Sequence, residues 1–162
     1  MNLASTVAST LSSILTAPSN GDIQLNTVVA SLSTMPPVAV GSVTTGNAGA
    51  ALNEKSLALN YPTVTIYCEK LTNTLKEKFR MFSGLAEMVI EVRQSQDQLQ
   101  NIQAALETYV SAACQILDES RGDWGNGMFY AGGYEVTFGA VKSGGKSFIQ
   151  IGRIVLNVDL IV

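Results

Sequence analysis

Apolar residues hold a helical period over one long stretch of the chain. Leu99, Ile102, Leu106, Tyr109, Val110, Ala113 and Leu117 follow one another at three- and four-residue steps, with Gln100, Gln103, Glu107, Ser111 and Asp118 between them. That pattern predicts an amphipathic helix over residues 96–120. Ser95 offers an N-cap and Gln98 completes a capping box. Arg121 and Gly122 suit the helix end. The preceding run, residues 85–93, alternates as a strand, so a strand feeds a helix that must dock on a sheet.

Period-two patterns occupy the flanks. In residues 61–69, Val64, Ile66 and Cys68 share one face and Thr63, Thr65 and Tyr67 the other, with Pro62 at the strand start. Leu71, Leu75 and Phe79 are spaced by four, which fits a short helix or an ordered loop over residues 70–82, and Gly84 resets the chain. After a Gly-rich turn at 122–127, strands are predicted at 134–141 and 148–162, joined by a Gly-Gly hairpin. The last strand sets Ile154, Leu156, Val158, Leu160 and Val162 on one face.

The N-terminal part differs. Leu3, Val7, Leu11, Ile14 and Leu15 predict a helix ending before Pro18. Residues 17–60 then show no long period, and Asp22 is the only charge between Met1 and Asn53. Such a segment lacks the charge of a disordered tail. It reads as an extended arm with pieces at 23–32 and 38–44 that packs on another surface and orders on assembly; deleting residues 17–52 should then spare the fold and abolish oligomers. The expectation is an α+β protein: an N-terminal helix and extended, charge-poor arm over 1–60, then a domain over 61–162 with a small, mostly antiparallel sheet and helices on one face.

Composition narrows the function classes. Charged residues are 14% of the 162, against about a quarter usually, and the net charge is −3. Neither feature gives a general reason to bind nucleic acid or an anionic membrane. The chain has no histidine, which removes Ser-His and Cys-His dyads and the commonest metal ligand. Cys68 and Cys114 form no C-x-x-C pair and read as free thiols in a reducing compartment. No signal peptide and no run long enough to span a bilayer is evident, so a protein without membrane contact is expected.

Candidate chemistry is sparse. Gly144-Gly-Lys-Ser147 resembles a phosphate loop, but the earlier glycine is replaced by Ala140 and a strand follows where a helix is needed. Glu87, Glu91 and Arg93 share a strand face, with the two carboxylates about 13 Å apart at the usual rise, and read as a solvated or subunit-facing polar surface. Lys70, Lys76, Lys78 and Arg80, with Phe79 and Phe82 between them, form the candidate for polyanion contact or for ion pairing across a subunit interface. Trp124, Tyr130, Tyr134 and Phe138 could fill a core or line a ligand groove. No catalytic, cofactor-binding or metal-ligating set is expected.

Three segments carry a family resemblance: the Tyr61-Pro-x-Val-x-Ile-Tyr67 strand, the Met88-Val-Ile-Glu-Val-Arg-Gln-Ser95 strand leading into a helix, and the closing Arg153-Ile-Val-Leu-Asn-Val-Asp-Leu-Ile-Val162 strand. With the first helix, their order resembles the tail-terminator, or tail-completion, proteins of long-tailed bacteriophages. The resemblance implies a structural virion protein, not an enzyme: a six-fold ring that stops tail-tube growth, meets the head connector and encloses the channel through which DNA passes unbound. Its partners would be copies of itself and the neighbouring tube and connector proteins. A small ligand- or nucleic-acid-binding adaptor is the rival expectation.

Overall fold

In the computed structural model, which describes residues 2–39, 42–46, 60–143, 145 and 147–162, the chain runs α1 (Leu3–Leu15), β1 (Pro18–Ser19), β2 (Asp22–Ile23), α2 (Gln24–Leu32), β3 (Val43–Thr45), β4 (Thr63–Asn73), β5 (Ser83–Gln96), α3 (Ile102–Glu119), β6 (Gly122–Gly125), β7 (Met128–Tyr130), β8 (Tyr134–Phe138), β9 (Lys142–Ser143) and β10 (Phe148–Ile161). β10 is the hub. One of its edges pairs with β5 from Phe148↔Gln96 to Ile161↔Ser83. The other is divided among β9, β8 and β7. β4 and then β3 extend the sheet beyond β5, and β6 extends it beyond β7. Among the described residues every pairing is antiparallel except β3 with β4.

Alternation puts one face of this sheet inside. Val64 and Ile66 of β4, Met88, Ile90 and Val92 of β5, and Ile154, Leu156 and Val158 of β10 are buried in one cluster with residues of all three helices. α3 contributes Leu106, Tyr109, Val110, Ala113 and Leu117, five of the residues whose spacing predicts it. It lies close over β10 because position 152 is glycine: a Cβ there would stand 2.7 Å from Val110 Cγ2. The fold is therefore α+β, with helices on one side of a largely antiparallel sheet.

Several boundaries differ from the sequence reading. Ser95 does not cap the helix, because Ser95 and Gln96 continue the β5 ladder opposite Ile149 and Phe148. Ladder hydrogen bonds take precedence over the capping box, and α3 begins at Ile102, after Asn101 in the left-handed region at φ 68°. Leu99, left in that turn, is exposed. Residues 70–73 continue β4 opposite Glu87–Gly84 past an irregularity between Cys68 and Lys70, and an irregular loop without a helix follows. β8 stops at Phe138, and the Gly-Gly connector partly falls outside the described residues.

The largest correction concerns the arm. Residues 24–32 are helical, and Leu25, Val28 and Val29 of α2 join the same core as the sheet. α2 packs on α3, and β3 pairs with β4. Asn26, buried, fixes the segment beyond α2: its side-chain amide donates to the Val38 carbonyl at 2.9 Å and its oxygen accepts from the Val38 N–H at 2.7 Å. Tyr109 of α3 donates to the Pro36 carbonyl at 2.7 Å. Deleting residues 17–52 would thus strip part of the core itself. Residues 47–59, also assigned to the arm, lie outside the described residues.

Candidate functional site

The connection between β4 and β5 gives the molecule its most unusual surface. At its root Asn73 acts as a clamp, its side-chain oxygen accepting from the N–H groups of Leu75 and Ser83, each at 3.1 Å. The Thr74 N–H reaches the Ser83 carbonyl at 3.0 Å, and the N–H of Glu77 reaches Ser83 Oγ at 3.3 Å. Phe82 and Val162 exchange both backbone hydrogen bonds, at 2.8 and 3.0 Å. The loop is pinned on both sides, yet its apolar side chains point outward. Leu75 is 64% exposed, Met81 83% and Phe79 103%.

Leu75 and Phe79 also have positive φ, 48° and 71°. Bulky residues in that region cost about 1–3 kcal/mol each unless surrounding contacts hold them there. A fully exposed Phe79 has no intramolecular packing to offset that cost. Lys76, Lys78 and Arg80 alternate with these apolar residues, and Glu77 is the one carboxylate among them. Phe129 of β7 and Ile161 of β10, both partly exposed, border a depression shared with Lys76 and Glu77, which extends the apolar area onto the sheet end.

The remaining expected site residues lie elsewhere. Lys70 is in β4 opposite Glu87, away from the three cations of the tip. Glu91 and Arg93 lie on the sheet face without helices, where Arg93 Nη2 meets Glu91 Oε2 at 3.1 Å and the Tyr67 hydroxyl donates to Glu91 Oε1 at 2.9 Å. Arg153 pairs with Glu69 on the same face. Of the expected basic cluster, Lys70 thus stands apart from the tip, while Glu91 and Arg93 lie on the separate polar strand face.

The aromatic set also divides. Trp124 and Tyr130 pack together with ring centroids 5.2 Å apart, and the Trp124 indole donates to the Ser120 carbonyl at 2.7 Å. Tyr134 and Phe138 instead line an open groove between β8 and α3, a cavity of about 460 Å³ with Val110, Ser111, Cys114, Gln115, Asp118 and Val136. At one end the Tyr134 hydroxyl donates to Asp118 Oδ2 at 3.0 Å and Arg121 Nη2 donates to Asp118 Oδ1 at 2.7 Å. The hydrogen bonds from Arg121 and then Tyr134 hold the Asp118 carboxyl below its usual value.

Burial pushes the Cys114 thiol up to about 11 and the Tyr130 phenol up to about 12; burial and then the hydrogen bond to Asp118 do the same for Tyr134. A thiol held protonated is a poor nucleophile. Because the folded state binds these protons more tightly than the unfolded chain, stability should be intact below pH 9.0, the ordinary value of the thiol, and fall as pH rises toward about 11. Thermal melts between pH 8 and 11 test this, with the melting temperature declining steadily over the upper part of that range. Among the described residues, no group of three or more His, Cys, Asp or Glu could hold a metal ion, and no helix is long and apolar enough to cross a membrane.

A scan against protein-family models finds no match for this sequence, and a search of curated proteins finds none either.

Proposed function

We propose that this chain is a structural assembly subunit, a protein whose activity is to bind copies of itself, and not an enzyme. The observation that carries the reading is the tip at residues 74–82: a pinned loop holding Phe79 in a left-handed conformation with its ring wholly in solvent. Strain of that kind clusters at functional sites, and exposed Phe and Met beside an arginine are the residue types enriched at protein interfaces. Within that class, the role we propose is a ring at the neck or tail of a bacteriophage, closing the tail tube and meeting the head connector around the DNA channel. The strand pattern at residues 61–67, 88–95 and 153–162 supports that particular role. Head-to-tail contacts that close on themselves give such rings.

Light scattering across a concentration series tests the class. The wild type should form a discrete particle many times its 17.2 kDa protomer mass. Leu75→Ser, Phe79→Ser and Met81→Ser combined should shift it to monomer with an unchanged melting temperature. The rival adaptor reading draws on the cations of the tip. It predicts a wild-type monomer with salt-dependent DNA affinity that disappears when Lys76, Lys78 and Arg80 are neutralised.

A further inference from the structure

We propose that the tip of one copy docks in the groove between α3 and β8 of the next copy, a contact that presupposes the self-assembly proposed above. Charge segregation within the chain is the first argument. Tip residues Lys76, Lys78 and Arg80 stand against Glu77 alone. At the groove, Asp118 is a lining residue and Glu107 and Glu119 share the α3 stripe of the lining residues Ser111 and Gln115, against the one base Arg121, which is paired with Asp118. The two surfaces are opposite in sign on a molecule of low overall charge. Such complementarity selects partner and register.

Shape is the second argument. The groove is lined by apolar Val110, Cys114, Val136 and Phe138 together with the polar side chains of Ser111, Gln115, Asp118 and Tyr134. The tip offers the matching arrangement, apolar side chains between cations. The groove is open, with a volume of about 460 Å³. Phe79 entering it would bury the aromatic ring that the loop holds in solvent.

Topology shows that both surfaces cannot be satisfied within one copy. β5 and β10 separate β4 from β8, a lateral distance of about 14 Å at ordinary strand spacing. The tip leaves the sheet where Gly84 faces Leu160, whereas β8 pairs with Gly152–Leu156 further along β10. The clamp at Asn73 and Ser83 holds the tip at that end. Each copy therefore presents one donor surface and one acceptor surface, and the contact is heterologous.

Mixing two defective variants tests this directly. Phe79→Asp removes the tip anchor and leaves the groove intact, while Gln115→Lys with Phe138→Lys blocks the groove and leaves the tip intact. Alone, each should associate about 30-fold more weakly than wild type or worse, the loss expected for a hot-spot side chain. Mixed in equal amounts, they should form a one-to-one dimer and nothing larger, because only one good tip and one good groove remain. Either variant assembling like wild type overturns the inference, as does a mixture that stays monomeric or grows beyond the dimer. Should a variant fail to fold by circular dichroism, charge reversal replaces it: Lys78→Glu with Arg80→Glu should abolish assembly, and adding Glu107→Lys with Glu119→Lys in the same chain should restore it. No restoration overturns the docking mode. A wild type that is monomeric at every concentration instead removes the self-assembly reading and this contact together, whereas assembly that ignores both surfaces removes this contact alone.

Discussion

Replacing Gly84 with alanine is expected to cost about 3 kcal/mol or more, the upper end of what overpacking usually does. Gly84 lies in β5 between Leu160 of β10 and Asn73 of β4. A Cβ at this position would stand 1.8 Å from the Thr72 carbonyl oxygen and 3.0 Å from the Asn73 Cα. Those obstacles are backbone atoms, so no side-chain rotation relieves them. The strands must separate, and separation breaks the Asn73 clamp at the root of the tip. Urea unfolding should show a lower midpoint for Gly84→Ala, and assembly should fall even where the variant remains folded. An unchanged midpoint would mean that β4 can shift at Thr72 without loss.

Asn26→Ala should be the second severe change, costing about 2–6 kcal/mol when two buried backbone groups are each left unsatisfied at about 1–3 kcal/mol. The Val38 N–H and carbonyl both depend on this side chain, and Val38 is 1% exposed. The Asn26 amide also donates to Asp22 at 3.0 Å. That bond and the Ile23 N–H hold the Asp22 carboxyl below its ordinary value, a contribution present above pH 3.8 and lost as pH falls below it. Hydrogen exchange should locate the damage, with protection lost at residues 24–38 and retained in β5 and β10. Uniform loss across the molecule would mean that the segment and the sheet unfold as one unit.

Asn26 also illustrates what could not be read from the sequence. A lone asparagine in a charge-poor stretch gives no signal, since its role depends on Val38 returning to it 12 residues later. α2 was equally obscure: nine residues that include the poor helix formers Asn26, Thr27, Val28 and Val29 form a helix because Leu25, Val28 and Val29 join the core beside α3 and not because of local propensity. The period-two and helical patterns of β4, β5, α3 and β10 were legible because each buries one face over many residues. The cations of the tip were visible, as was Phe79. Their separation from Lys70 was not, because it depends on how far the β4–β5 ladder continues before it turns. The groove was half legible. Tyr134 and Phe138 stood out as aromatics, but Val110 and Cys114 read as core residues, and only the offset of β8 along β10 opens the space between them.

The hub position of β10 bears on the order in which this chain acquires its structure. β10 follows in sequence every strand it joins, and α3 packs against it as well. On the ribosome, β4 and β5 can meet early, but β5 then waits with one edge unpaired while some fifty residues, from Asp97 to Ser147, are added. An unpaired edge is open to other nascent chains. Residues 148–161 supply the missing edge last, pairing with β5 on one side and, on the other, with β7, β8 and β9, of which β8 and β9 pair with no other strand among the described residues.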